Sequence, residues 1–242
     1  MDRIVFDRMA EFDNSHWWYQ GRRRILDTII ADQIKLSSEA PILEVGCGTG
    51  HNLLMLSQHG VVDALEIDDT ARTIASQRLG RPVGDAPLPD LPGVERNHYE
   101  MIGLFDVLEH IEDDVGALKE IGQCLTSDGK LLLTVPAFPW MWTAHDEIHH
   151  HHRRYSKASL QKAVEQAGLK IEMVSWFNSI LFPAAAASRL WNKMTRKTDS
   201  NDGQPGPVVN TILKHLFAVE RYLVGRIPMP PGVSLMVIAS RA

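Results

Sequence analysis

The sequence predicts an α/β fold: a doubly wound, mostly parallel sheet with helices on both faces. Three observations carry this expectation. Apolar runs of strand length alternate with helical segments from about residue 40 to residue 178, the order that builds parallel sheets. The first run, Ile42, Leu43 and Val45, closes on a turn with glycine at Gly46, Gly48 and Gly50. An acid, Glu66, then stands twenty residues beyond Gly46, at the end of the second run.

The stretch PILEVGCGTGHN, residues 41–52, is the centre of this pattern. Glycines at every second position let the backbone adopt positive φ and pass close to a ligand. The helix expected from about His51 would turn its free N–H groups toward the same place. A dinucleotide turn has the spacing G-x-G-x-x-G and receives a pyrophosphate. Here the spacing is G-x-G-x-G, with Glu44 two residues before the first glycine. A carboxylate there repels a pyrophosphate but accepts a bond from an ammonium group, so the expected ligand is nucleotide-like with a cationic amino-acid end.

Composition narrows the class. The chain has 242 residues, 44% hydrophobic and 23% charged, enough for one large domain with a sizeable core. A net charge of −5 argues against a general nucleic-acid binder, and two cysteines, Cys47 and Cys124, provide no disulfide framework. The charged stretch MDRIVFDRMAEFD has no signal-peptide pattern, and no apolar run reaches the roughly 20 residues of a membrane span. A cytoplasmic protein, with membrane association as an alternative, is the expectation.

Residues 1–36 read as an N-terminal helical lid. Its HWWYQGRRR stretch places Trp18 and Arg22 as candidates to cover a cofactor and meet its carboxylate. Adjacent tryptophans point about 100° apart on a helix, so Trp17 and Trp18 cannot share one core. Residues 53–59 complete the helix after the glycine turn, and 61–67 form the second strand. The interval from Gly46 to Glu66 is the one at which an acid meets ribose hydroxyls. Asp68 and Asp69 are rivals for that role, although they also suit the cap of a helix over 70–79. A short third strand is expected near Pro82 and Val83, a fourth over 101–108, a helix to about Leu125, and a fifth strand over 130–135.

Residues 136–155 show neither helical nor strand periodicity. A loop this long in a compact domain is typically functional, and its aromatic content argues against disorder. It leaves the carboxyl end of a central strand, where open α/β sheets bind ligands. Trp140, Trp142, Arg153, Arg154 and Tyr155 are therefore expected to form a substrate wall. His145, paired with Asp146, is the candidate base. No metal is expected, because four consecutive histidines, His149–His152, cannot all face one ion and no further ligand stands at a suitable spacing. Ser156 caps a helix over 157–166, residues 169–177 form the sixth strand, and 233–240 the last.

The boundaries are a Rossmann-like core over 37–178 and 228–242, with a helical insertion over 179–227, in a single 1–242 domain. Between Ala186 and Arg226 the insertion carries seven basic against three acidic residues. Such an apolar and basic pair of helices suits packing on the sheet or a homodimer contact, and equally a peripheral contact with an anionic membrane or a lipid-linked substrate.

The motif E-x-G-x-G-x-G, together with Glu66, Gly84-Asp85-Ala86 and DVLEHIEDD at 106–114, resembles class I S-adenosylmethionine-dependent methyltransferases. The resemblance implies a seven-stranded sheet of order 3-2-1-4-5-7-6 with the last strand antiparallel, and S-adenosyl-L-methionine as cofactor. It implies cofactor contacts from Glu44, Gly46, Cys47, Gly48, Gly50, Glu66, Ile67, Asp85, Ala86, Asp106, Val107 and Leu108. His110 would be either a base or a wall of the adenine pocket. Glu100 departs from the pattern, where the fourth strand usually opens with aspartate. HWWYQGRRR and HDEIHHHHRRY resemble a bacterial small-molecule subgroup, so the acceptor is expected to be a small molecule or a lipid- or saccharide-type compound. The rival expectations are a nicotinamide-dependent oxidoreductase and a non-catalytic cofactor-binding scaffold.

Overall fold

A computed structural model describes residues 10–195 and 205–242. The first nine residues of the expected 1–36 helical lid and residues 196–204 of the expected 179–227 insertion lie outside the described residues.

Six strands form one sheet: β1 (Pro41–Val45), β2 (Val61–Leu65), β3 (Tyr99–Phe105), β4 (Leu125–Pro136), β5 (Leu169–Phe177) and β6 (Ser234–Arg241). Their spatial order is β2-β1-β3-β4-β6-β5, and only β6 runs antiparallel to its neighbours. This is the expected order without its third strand. The 82–84 segment makes a single parallel bridge, Gly84 to Leu65, at the sheet edge. Pro82 lacks the N–H that a longer ladder needs, which accounts for the shortfall.

The helices divide between the two faces, as the alternation of strand side chains requires. Helices α1 (Trp17–Ile29), α2 (Leu53–Leu56) and α3 (Asp69–Leu79) cover one face, where Ile25, Leu26, Leu53 and Ala75 meet Ile42, Met101 and Leu132. Helices α4 (Asp114–Cys124) and α6 (Lys157–Gln166) cover the other, where Leu118, Ile121, Leu160 and Val164 meet Leu43, Val45, Leu131 and Leu133. Consecutive residues of β1 and β4 thus serve opposite cores.

Local departures have local causes. Helix α2 is only four residues long, not the 51–59 span expected: the Asn52 side chain is drawn to Glu44 and does not cap its start, and Gln58 N and His59 N donate to Met55 O and Leu56 O in tighter turns that end it. Strand β4 begins at Leu125, since Thr126–Gly129 is accommodated as a bulge against β3 rather than as a separate turn. The 136–155 segment contains a short helix, α5 (Ala144–Ile148), opened by a capping box between Thr143 and Asp146. The insertion forms α7 (Phe182–Thr195) and α8 (Pro207–Ala218). Helix α8 packs on α1: Phe217 lies against Gly21 and edge-on to Trp17, and buried Asn210 bridges Trp17 N and Ser15 O. Among the described residues no helix is long and apolar enough to cross a membrane.

Candidate functional site

The carboxyl ends of β1, β2 and β3 meet at the glycine turn. Gly46, Gly48 and Gly50 all have positive φ. At Gly46 a Cβ would stand 2.7 Å from Val107 Cγ2, so glycine is required there by space as well as by conformation. The amides of Gly46 and Cys47 both donate to Leu65 O, which pins the turn to the end of β2. Gly48 N donates to Glu66 Oε2 at 2.8 Å, and Asp68 N donates to Oε1 at 2.9 Å. Glu66 is thereby fixed at the tip of β2. Asp68, the rival acid, caps α3 by accepting from Thr70 N and Ala71 N.

Glu44 is 1% exposed. Its Oε1 accepts from Asn52 Nδ2 at 2.7 Å, whereas Oε2 and Asn52 Oδ1 are buried without a hydrogen-bond partner. Burial pushes its carboxyl up to about 7, against the Asn52 hydrogen bond and the Arg22 charge, while Glu66 adds to the rise. A buried acceptor left open in this way costs free energy unless a donor reaches it.

Above the turn, α1 brings in Arg22, which is 2% exposed. Its guanidinium pairs with the Asp106 carboxylate, sits 2.7 Å from His51 Nε2 and lies 4.3 Å from the Trp18 ring centroid. Burial, and then the charges of Arg22, Arg23 and Arg78, hold His51 well below the usual histidine range, so its neutral Nε2 accepts from Arg22. Asp106 reaches Arg22 because the chain leaves β3 with φ 57°, a conformation that aspartate tolerates better than most residues. Asp13 secures the same region: it is fully buried, accepts from Thr49 Oγ1 at 2.9 Å and pairs with Arg78. Cys47 is a buried thiol raised by burial and by Glu44 and Glu66, so it packs the turn and supplies no thiolate. At the rim, Ile67 is 68% exposed, and Asp85 and Ala86 follow the Gly84 bridge.

The second half of the site lies past Val107 and Leu108. Glu109 is buried, and its carboxyl is raised well above the usual range by burial and by Asp106. His110 is pushed down to about 3, by burial first and then by His151 and His149, which makes it a poor proton acceptor near neutral pH. Asp146 pairs with His151 Nδ1 at 2.9 Å and with Arg154 Nε at 2.7 Å, not with His145 as expected. The capping box turns the Asp146 side chain back toward Thr143 and away from its chain neighbour. Burial alone would raise the Asp146 carboxyl, but these hydrogen bonds outweigh it and hold it below the usual range. His145 instead lies over His149, with ring centroids 4.0 Å apart.

The expected substrate wall is only partly a wall. Trp140 and Trp142 are 45% and 37% exposed beside Phe138, which stacks on Trp176. Arg153, Arg154 and Tyr155 do not offer their polar ends outward. Arg153 joins Asp114 and Glu112 O, buried Arg154 joins Asp146 and Ala137 O, and the Tyr155 hydroxyl donates to Asp114 at 2.8 Å. These three residues anchor the loop: burial of Arg154 and Tyr155 requires partners from the chain itself, and the partly exposed Arg153 adds an ion pair at the surface.

Asp13, Thr49, His51, Asn52, Glu109 and His151 were not among the expected site residues, although all but Asp13 lie within the stretches PILEVGCGTGHN, DVLEHIEDD and HDEIHHHHRRY.

The chain matches the family model described as a methyltransferase domain over residues 17–174. An uncharacterised methyltransferase of Staphylococcus carnosus is 30% identical over 105 residues, 42% of this chain and 50% of that protein. This chain spans about half the length of the curated relatives it matches. Two solved structures share the fold. One was determined with the Haloferax volcanii Trm112 methyltransferase activator (TM-score 0.63, 17% identity, covering 98% of this chain and 94% of that one). The other is geranyl diphosphate C-methyltransferase of Streptomyces coelicolor (TM-score 0.59, 10% identity, 90% and 78%).

Proposed function

Because this chain belongs to the methyltransferase-domain family, we propose that it moves a methyl group from S-adenosyl-L-methionine to a small-molecule, lipid-type or saccharide-type acceptor. The observation that carries this reading is Glu44 Oε2, a buried carboxylate oxygen without a partner beside a glycine turn of positive φ. It fits a cofactor that ends in an ammonium group and opposes one that carries a diphosphate, which weakens the nicotinamide alternative. Glu66, at the tip of β2, offers acceptor atoms to ribose hydroxyls. Arg22 and Trp18 cover the turn from α1, where the guanidinium supplies positive charge for a carboxylate. Ile67, Asp85 and Ala86 line the edge toward the base.

When bound, the cofactor supplies a methyl carbon on a sulfonium, an excellent leaving group. The chain's task is then mainly to align the acceptor atom and exclude water. Val107 lies against the turn, backed by buried Leu108, and the half-exposed Trp140 and Trp142 offer flat faces for an acceptor. An amphipathic acceptor is supported by the exposed apolar row of α8, Val208, Val209, Ile212 and Leu216. The test is incubation of the full chain with S-adenosylmethionine labelled in its methyl group and fractionated cell extracts, both polar and lipid. Label should pass to a fraction only with active chain, and the Glu66→Ala variant should transfer less. Absence of transfer to every fraction, with cofactor bound, would favour the non-catalytic scaffold.

A further inference from the structure

The described residues contain one group of side chains with the composition of a metal centre that the proposed function does not use. Glu109, His110 and His151 each bring a ligand atom within 4.8 Å of the others. They come from two separate segments. Glu109 and His110 follow β3 in a 3-10 turn, while His151 lies beyond α5 in the 136–155 loop. The segments are tied together by His152 N, which donates to Glu109 O at 2.8 Å. The His110 and His151 rings approach to 4.6 Å between centroids, nearly perpendicular.

We propose that Glu109, His110 and His151 bind one divalent transition-metal ion, with Asp146 orienting His151. Two imidazoles and one carboxylate suit zinc and its first-row neighbours, and three protein ligands leave a coordination position for an outside donor. Two features go beyond proximity. Glu109 is 1% exposed, yet its Oε2 has no hydrogen-bond partner, so an acceptor atom is buried here for something not yet described. His151 Nδ1 is held by the Asp146 carboxylate, which leaves Nε2 as its ligating atom. This is the carboxylate–histidine pairing that typically orients a metal ligand. A ligand distance of about 2.0–2.2 Å places neighbouring donor atoms about 3–4 Å apart, which small side-chain rotations reach from separations of at most 4.8 Å. His149 lies near the group, its ring 5.8 Å from that of His151, and is not required by it.

The group directly follows Asp106–Leu108 in the chain, at the carboxyl end of β3. Insofar as the methyltransferase reading holds, it narrows the acceptor to a molecule with a lone-pair donor, such as a hydroxyl, amine or thiol, that completes the ion's coordination.

The experiment uses the full chain without a histidine tag, stripped by chelator and titrated with cobalt(II) alone. Visible ligand-field absorption and elemental analysis report binding without cofactor or turnover. One cobalt per chain is expected, displaced by zinc. His151→Ala and Glu109→Gln should each weaken binding at least about tenfold. The triple variant His149→Ala, His150→Ala, His152→Ala should bind as the parent does. If Glu109→Gln fails to fold by circular dichroism, His110→Ala replaces it. The proposal is overturned if no stoichiometric site is found. It is equally overturned if binding survives in His151→Ala and disappears in the triple variant, which would assign it to an ordinary histidine run. Either result leaves the methyltransferase reading intact, whereas a chain that binds cobalt but not S-adenosylhomocysteine would refute that reading alone.

Discussion

Removing the charge of Glu44 should abolish a pH dependence that is otherwise built into cofactor binding. The carboxyl is pushed up to about 7 by burial, so below neutral pH the unliganded chain holds a proton there. An ammonium group delivered to Oε2 favours the carboxylate and expels that proton. If the bound-state value returns to the ordinary carboxyl range, the shift is about 2.5 units, a ceiling of roughly 3 kcal/mol of coupling. The sign follows: affinity rises with pH up to about 7 and then levels off. At pH 5 only about 1% of the free carboxyls are ionised, so binding there should be about a hundredfold weaker than on the plateau. His51 and His110, both held in the neutral form mainly by burial, stay silent over this interval. Calorimetric titration of S-adenosylhomocysteine from pH 5 to pH 8, in two buffers of different ionisation enthalpy, measures both the affinity and the protons released. Glu44→Gln should flatten the profile and lower the plateau affinity by about 1.5–3 kcal/mol, the usual cost of a lost charged hydrogen bond. An affinity independent of pH in the parent chain, or one that falls as pH rises, would refute the assignment.

Other positions give sharper structural tests. Glu66→Ala should weaken cofactor binding by about 1–3 kcal/mol and also leave the Gly48 and Asp68 amides without their acceptor, measurable by calorimetry. Gly46→Ala must place a methyl group 2.7 Å from Val107 at φ 70°, whereas Gly80→Ala has a similar φ and nothing within 4 Å. The first should cost several times more than the roughly 1 kcal/mol of the second in urea unfolding. Asp146→Ala strands buried Arg154 and should destabilise the chain by about 3–5 kcal/mol, seen as a lower urea midpoint.

The glycine turn and the place of Glu66 were legible because their signals are local. Gly46, Gly48 and Gly50 are each demanded by backbone conformation, and Glu66 is placed by one strand–helix–strand unit of ordinary length. The internal order of the 136–155 loop was not legible, because it depends on pairs that sequence spacing does not encode. Asp146 sits beside His145 in the chain, yet the capping box of α5 turns its carboxylate toward His151 and Arg154. Arg153, Arg154 and Tyr155 read as a basic aromatic surface until their partners, Asp114 and Ala137 O, come into contact across the sheet end. Asp13 meets Thr49 from 36 residues away, and Asn52, within the expected start of a helix, gives its amide to Glu44. The strand order was implied by the family resemblance, whereas the strands themselves were legible as apolar runs because β1, β3 and β4 are buried on both faces by two opposed cores.

A crystal structure of the chain with S-adenosylhomocysteine tests the central claim most directly. The ribose should bond to Glu66, and the amino-acid end should lie over Gly46–Gly50 with its ammonium group at Glu44 Oε2. A glycine turn that remains bare while the ligand occupies another cleft, or one that takes up a diphosphate in its place, would contradict it.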